Sequence, residues 1–140
     1  MIVKIHLKQI GKRKQTVAPV DFEYSSVPYT VRELIAQTAA ACVNAYNERV
    51  RRGDSRTAPI TEEQITDMAS VGKIAFGINY GGREQDIGKA VENALQSFED
   101  GLYRVFLNEN ELERLGDDLD LHDGDSLTFI RLTMLTGRIV

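Results

Sequence analysis

Covalent chemistry has little to work with in this 140-residue sequence. A single cysteine, Cys42, excludes an internal disulfide framework and fits a reducing, cytoplasmic compartment. The two histidines, His6 and His122, have no cysteine or carboxylate at metal-ligand spacing, so both read as structural polar residues and no metal site is expected. With only these imidazoles, no Ser/His/Asp or Cys/His arrangement can be assembled. No apolar run approaches the roughly 20 residues that cross a bilayer. Ile2 to Ile10 alternates apolar and charged residues where a signal peptide would be continuously apolar. Internal repeats and low-complexity segments are also missing.

The composition is that of a folded domain: 42% hydrophobic and 27% charged. The net charge of −4 conceals an asymmetry. Residues 1–60 carry ten Lys/Arg against five Asp/Glu, and residues 61–140 carry seven against sixteen. Non-specific nucleic-acid binding needs one contiguous basic field, which such a dipolar chain lacks. Lys12-Arg13-Lys14 reads as a hairpin tip, and Arg49, Arg51 and Arg52 as a solvated helix end where cations offset the helix dipole.

Periodicity predicts the elements. Val3, Ile5 and Leu7 alternate with Lys4, His6 and Lys8, giving a first strand over Ile2–Ile10. Residues 11–15 form a polar turn. Val20, Phe22 and Tyr24 mark a second strand that Pro19 confines to an edge or a strand start. Thr30 with Glu33 is a capping box opening a long helix, whose stripe is Val31, Leu34, Ile35, Ala39, Cys42 and Tyr46, interrupted by Thr38. Cys42 on this stripe is a core residue. Gly53 is the expected helix stop.

Thr61 with Gln64 predicts a shorter helix to about Ser70, then an extended stretch over Val71–Tyr80. Ile87, Ala90, Val91, Ala94, Leu95 and Phe98 line one face of a third helix, closed by Asp100-Gly101. A strand over Leu102–Leu107, a turn at residues 108–111, a short strand around Leu119 and Leu121, a hairpin-type turn at Asp123-Gly124 and a closing strand over Ser126–Met134 follow. Two superficial motifs fail. Gly82 to Gly88-Lys89 is one residue too long for a phosphate loop and has Ala90 where Ser or Thr belongs. Asp117–Asp125 fails as a calcium loop, because aligning Gly124 puts Leu119 and Leu121 at the first two ligand positions.

The order of hairpin, capped helix, inserted helices, strand, short strand and closing strand resembles the β-grasp of ubiquitin-like proteins. Thr30-Val31-Arg32-Glu33-Leu34 resembles the start of the β-grasp helix in ubiquitin-like proteins and in the sulfur carriers of the molybdopterin and thiamine pathways. Tyr103–Asn108 followed by Leu119–Phe129, with its Leu-His-Asp-Gly-Asp turn, is similar to their closing hairpin. The resemblance covers residues 1–52 and 102–137; residues 53–101 match nothing in those families. It implies an α+β fold with a mixed sheet of four or five strands packed on one long helix, and a core of residues 1–52 and 102–135. An inserted helix pair at 53–101 and a tail at 136–140 complete the single domain.

The resemblance also implies a function without catalytic activity or cofactor of its own. Family members expose a C-terminal glycine carboxylate that an activating enzyme adenylates and passes on; glycine permits the close backbone approach. Ubiquitin and the sulfur carriers end in Gly-Gly, whereas this chain has Thr136-Gly137 followed by Arg138-Ile139-Val140. It therefore resembles single-glycine modifiers made with a tail that a peptidase removes between Gly137 and Arg138. Partners would then be activating and transfer enzymes and a peptidase. A non-conjugated interaction or adaptor module of the same fold is the alternative, and a sulfur carrier a more distant one. If Leu127 and Phe129 face the helix, then Thr128, Ile130 and Leu132 form an outward partner-binding surface, unless the insertion folds over it.

Overall fold

In the computed structural model, residues 1–9, 19–52, 68–78 and 80–132 are described. The chain runs β1 (Ile2–Gln9), β2 (Val20–Glu23), α1 (Val31–Arg51), α2 (Met68–Ala75), α3 (Ile87–Glu99), β3 (Tyr103–Leu107), β4 (Asn110–Leu112) and β5 (Ser126–Arg131). The strands make one mixed sheet in the order β2-β1-β5-β3-β4. The first and last strands pair in parallel at its centre, with Ile5 beside Leu127 and Leu7 beside Phe129. All other pairings are antiparallel. This α+β arrangement is compatible with a β-grasp. Pro19 immediately precedes β2, which is an edge strand, where a missing backbone donor costs least.

Period-two alternation sends one set of side chains to the helices. Val3, Ile5, Val105, Leu127 and Phe129 are wholly buried there, together with Val31, Leu34 and Ile35 of the α1 stripe. Thr30 caps α1 by accepting the Glu33 amide on Oγ1 at 3.2 Å. The Glu33 carboxylate reaches back to the Tyr29 amide at 2.8 Å, one residue before the usual capping-box target.

Thr38 is no interruption of the stripe. It is fully buried, donates to the Leu34 carbonyl at 2.6 Å, and its Oγ1 lies 2.7 Å from the Tyr24 hydroxyl. With the Thr38 proton committed to its own helix, Tyr24 is the donor, and a single hydroxyl ties the end of β2 to α1. Burial raises the Tyr24 phenol pKa, which keeps it protonated for this role.

The segment expected to be extended over Val71–Tyr80 is instead helical as far as Ala75. Glycine has low helix propensity, but Gly72 here serves packing. A Cβ at Gly72 would meet the Tyr80 hydroxyl and come within 2.8 Å of the Cys42 Cβ, so its absence lets α2 sit close against α1. Just beyond α2, Phe76 inserts edge-on against Tyr103 and Phe129 at centroid distances of 5.3 and 5.4 Å. Ala94 and Phe98 of α3 join the same core. A second cluster forms where Tyr46 stacks on Tyr80 at 3.9 Å, with Val43 and Ala69. Asn47 clamps the Gln85 backbone through both amide atoms, at 2.8 and 3.0 Å, and so fixes the entry to α3.

Three further expectations change. The turn after β3 takes only Asn108 and Glu109, because Asn110–Leu112 pairs back as β4. Leu119 and Leu121 form no strand; an isolated bridge joins Asp118 to Thr30, and the Leu119 amide bonds to the Tyr29 carbonyl at 2.9 Å. This stretch therefore pins the entry to α1 and never joins the sheet. The Asp123-Gly124 turn leads into β5 without making a hairpin, since it docks on β1: Asp123 Oδ1 accepts the Ile2 amide and the Gly124 amide donates to the Ile2 carbonyl. The expected turn at 11–15, the Gly53 stop, the Thr61/Gln64 helix start and Met134 lie outside the described residues.

Two substitutions check this packing. Thr38→Val removes the acceptor of a buried phenol and is expected to cost about 1–3 kcal/mol in urea unfolding. The double variant Tyr24→Phe/Thr38→Val should recover part of that loss, because no hydroxyl is left stranded. Gly72→Ala would raise stability by about 1 kcal/mol if helix propensity decided the outcome. The crowding by Cys42 and Tyr80 predicts the opposite, a loss of about 1–3 kcal/mol.

Candidate protein-binding surface

The three helices share one side of the sheet, where α2 and α3 both pack on α1 and contribute to the same core as Leu127 and Phe129. The described part of the insertion thus leaves the opposite sheet face uncovered. On that face β5 presents Thr128 and Ile130, both half-buried. Leu132 is half-buried just past β5, and its amide donates to the Leu102 carbonyl at 3.1 Å. That bond extends the β3–β5 ladder by one residue, and the alternation keeps Leu132 on the side of Ile130. The register brings His6 and Phe106 alongside Thr128, and Lys8 and Arg104 alongside Ile130. A small apolar centre of Phe106, Thr128 and Ile130 is therefore framed by β1 and β3 cations.

Acidic edges complete the frame. Lys4 pairs with Asp21 at 3.1 Å and Arg104 with Glu111 at 3.8 Å. Apolar middle and polar rim are the anatomy of a protein-binding surface. Phe106 was not singled out in the sequence; on β3 it alternates with Tyr103 and Val105, whose side chains are buried on the helix side.

Gly137 and Arg138 lie outside the described residues. The remaining candidate groups lie apart from one another. Cys42 is fully buried. His6 lies on the open face, while His122 sits in the aspartate-rich turn, 3.4 Å from an exposed Asp120 oxygen. The aspartates of that turn are bound to backbone: Asp125 Oδ2 accepts the His122 amide at 2.8 Å and Asp117 Oδ2 the Arg114 amide at 3.3 Å. At the failed phosphate-loop motif, Asp86 Oδ1 accepts the Lys89 amide at 3.2 Å, placing a carboxylate where a phosphate would need to approach. Among the described residues, no three His, Cys, Asp or Glu side chains come together as a metal site, and no helix is long and apolar enough to cross a membrane.

Neighbouring residues on β5 should respond oppositely to the same substitution. Ile130→Asp places its carboxylate between Lys8 and Arg104, so the circular dichroism spectrum should be retained with a stability loss of about 1 kcal/mol. Phe129→Asp buries a charge among Val105, Phe76 and Tyr103 and should unfold the domain.

Comparison with protein-family models, curated proteins and solved structures finds no significant match to this chain.

Proposed function

We propose that this protein is a ubiquitin-like modifier precursor, recognised through its open sheet face and conjugated through Gly137 after removal of Arg138-Ile139-Val140. The observation that carries the reading is the face around Ile130, which no described helix covers, on a sheet whose first and last strands pair in parallel at the centre. The central position of β5 supports it further. Leu132, the last described residue, lies on the same side as Ile130, five residues before Gly137 in the sequence. On this reading the protein supplies a handle and a carboxylate, and its activating, transfer and peptidase partners supply the chemistry.

A second reading, a non-conjugated adaptor, rests on the same apolar centre and needs no tail. Both readings place the partner contact on Thr128, Ile130 and Leu132, and they differ only in the fate of Gly137.

Intact-mass analysis of the protein from its native cells separates them. Loss of the three terminal residues, or isopeptide adducts through Gly137, is the expected result. A population that is entirely full-length and unconjugated would refute the modifier reading. Ile130→Asp should abolish capture of a partner by either route, and undiminished capture would place the contact elsewhere.

A further inference from the structure

Position 131 breaks the pattern of β5. Alternation puts it on the helix side with Leu127 and Phe129, and the register sets it beside the buried Tyr103. The residue there is an arginine. Its guanidinium lies over Gly77, where a Cβ would meet Nη2 and approach Cζ to 2.8 Å; Gly77 also has a φ of +69°. Glycine at 77 therefore satisfies both the left-handed backbone and the space that the arginine occupies. The guanidinium offers five donors, yet its one hydrogen bond among the described residues is a long one from Nη1 to the Ala75 carbonyl, 3.5 Å. No carboxylate pairs with it among those residues.

The guanidinium faces a cleft of about 460 Å³ between the end of α2, α3 and the end of β5. The volume falls in the range of small-molecule sites. Phe76, Ile78, Ala90 and Ala94 give the cleft apolar walls. Across from Arg131, α3 contributes Lys89, Asn93 and Ser97, spaced i, i+4 and i+8 along one side of the helix. The one carboxylate on the lining, Asp86, is directed by Oδ1 to the Lys89 amide. The cleft thus holds two cations, one carboxylate committed to a backbone amide, and several neutral donors around a small apolar space.

We propose that this cleft binds a small organic carboxylate, its carboxylate held by Arg131 and its apolar body against Phe76 and Ile78. A planar guanidinium matches a carboxylate in bidentate geometry, and the α3 amide and hydroxyl groups suit its outer oxygens. The site lies on the helix side of the sheet, opposite Thr128 and Ile130, and the proposal does not rest on a role for Gly137.

Amide chemical-shift titration of the full-length protein tests this, with benzoate as the probe, benzamide as its neutral isostere and inorganic phosphate as a charge control. Benzoate should give saturable shifts confined to residues 76–78, 89–97 and 131. Arg131→Gln should weaken binding at least about tenfold with the spectrum otherwise retained. Asn93→Phe, at an exposed position on α3, should block the cleft independently of any effect of Arg131 on folding. Absent or non-saturable shifts, equal binding of benzamide, equal binding of phosphate at the same amides, or full binding by Asn93→Phe would each overturn the proposal.

Discussion

The parallel ladder between β1 and β5, running from Lys4 beside Ser126 to Gln9 beside Arg131, joins strands that lie more than a hundred residues apart in the chain. Parallel neighbours need a long crossover, and here that crossover contains all the helices among the described residues. The ladder fixes which residues of β5 face inward, and so places Leu127 and Phe129 under α1. It leaves Thr128 and Ile130 on the open face and Arg131 at the cleft. A one-residue slip would exchange these roles. The Asp123-Gly124 turn guards against that slip by bonding to both the amide and the carbonyl of Ile2 before the ladder begins.

From this register follows a division of labour between the two sides of the sheet. The helix side is crowded: α2 is admitted against α1 by Gly72, Phe76 reaches Tyr103 and Phe129, and Phe98 lies 6.0 Å from Tyr103. α2, Phe76 and the inner face of α3 are therefore part of the core, and removing them would empty the space beneath β3 and β5. The opposite side carries no helix among the described residues, and its apolar content is limited to a centre that solvent and paired charges can keep soluble.

Much of this could be read in the sequence wherever a local rule and a tertiary demand agreed. The alternation of β1 and β5, the Thr30 cap and the α3 stripe all combine strong local signals with burial on one side. The misreadings share a different cause. Val71–Tyr80 reads as extended until Gly72 is seen to admit α2 against Cys42 and Tyr80, and Thr38 looks like a blemish until Tyr24 arrives from another strand. Leu119 and Leu121 alternate like strand residues, but their backbone partners are at the entry to α1. Each was decided by a contact distant in sequence, which periodicity does not report. The open face was legible from alternation on β5; Phe106, Lys8 and Arg104 joined it only once the strand order was known. Arg131 gave the same kind of signal, an arginine at an inward position, but without the strand order it had no cleft to belong to.

The placement of β5 also governs the order in which the fold can be completed. β1 with β2, and β3 with β4, are each antiparallel neighbours along the chain and close locally. Until residues 126–131 arrive between them, β1 and β3 both expose an unpaired edge, and no strand joins the two pairs into one sheet. A chain interrupted before β5 is thus two separate ribbons with sticky edges, open to pairing with copies of themselves. The last strand acts as the keystone: its insertion seals both edges at once and joins the two ribbons into a single sheet.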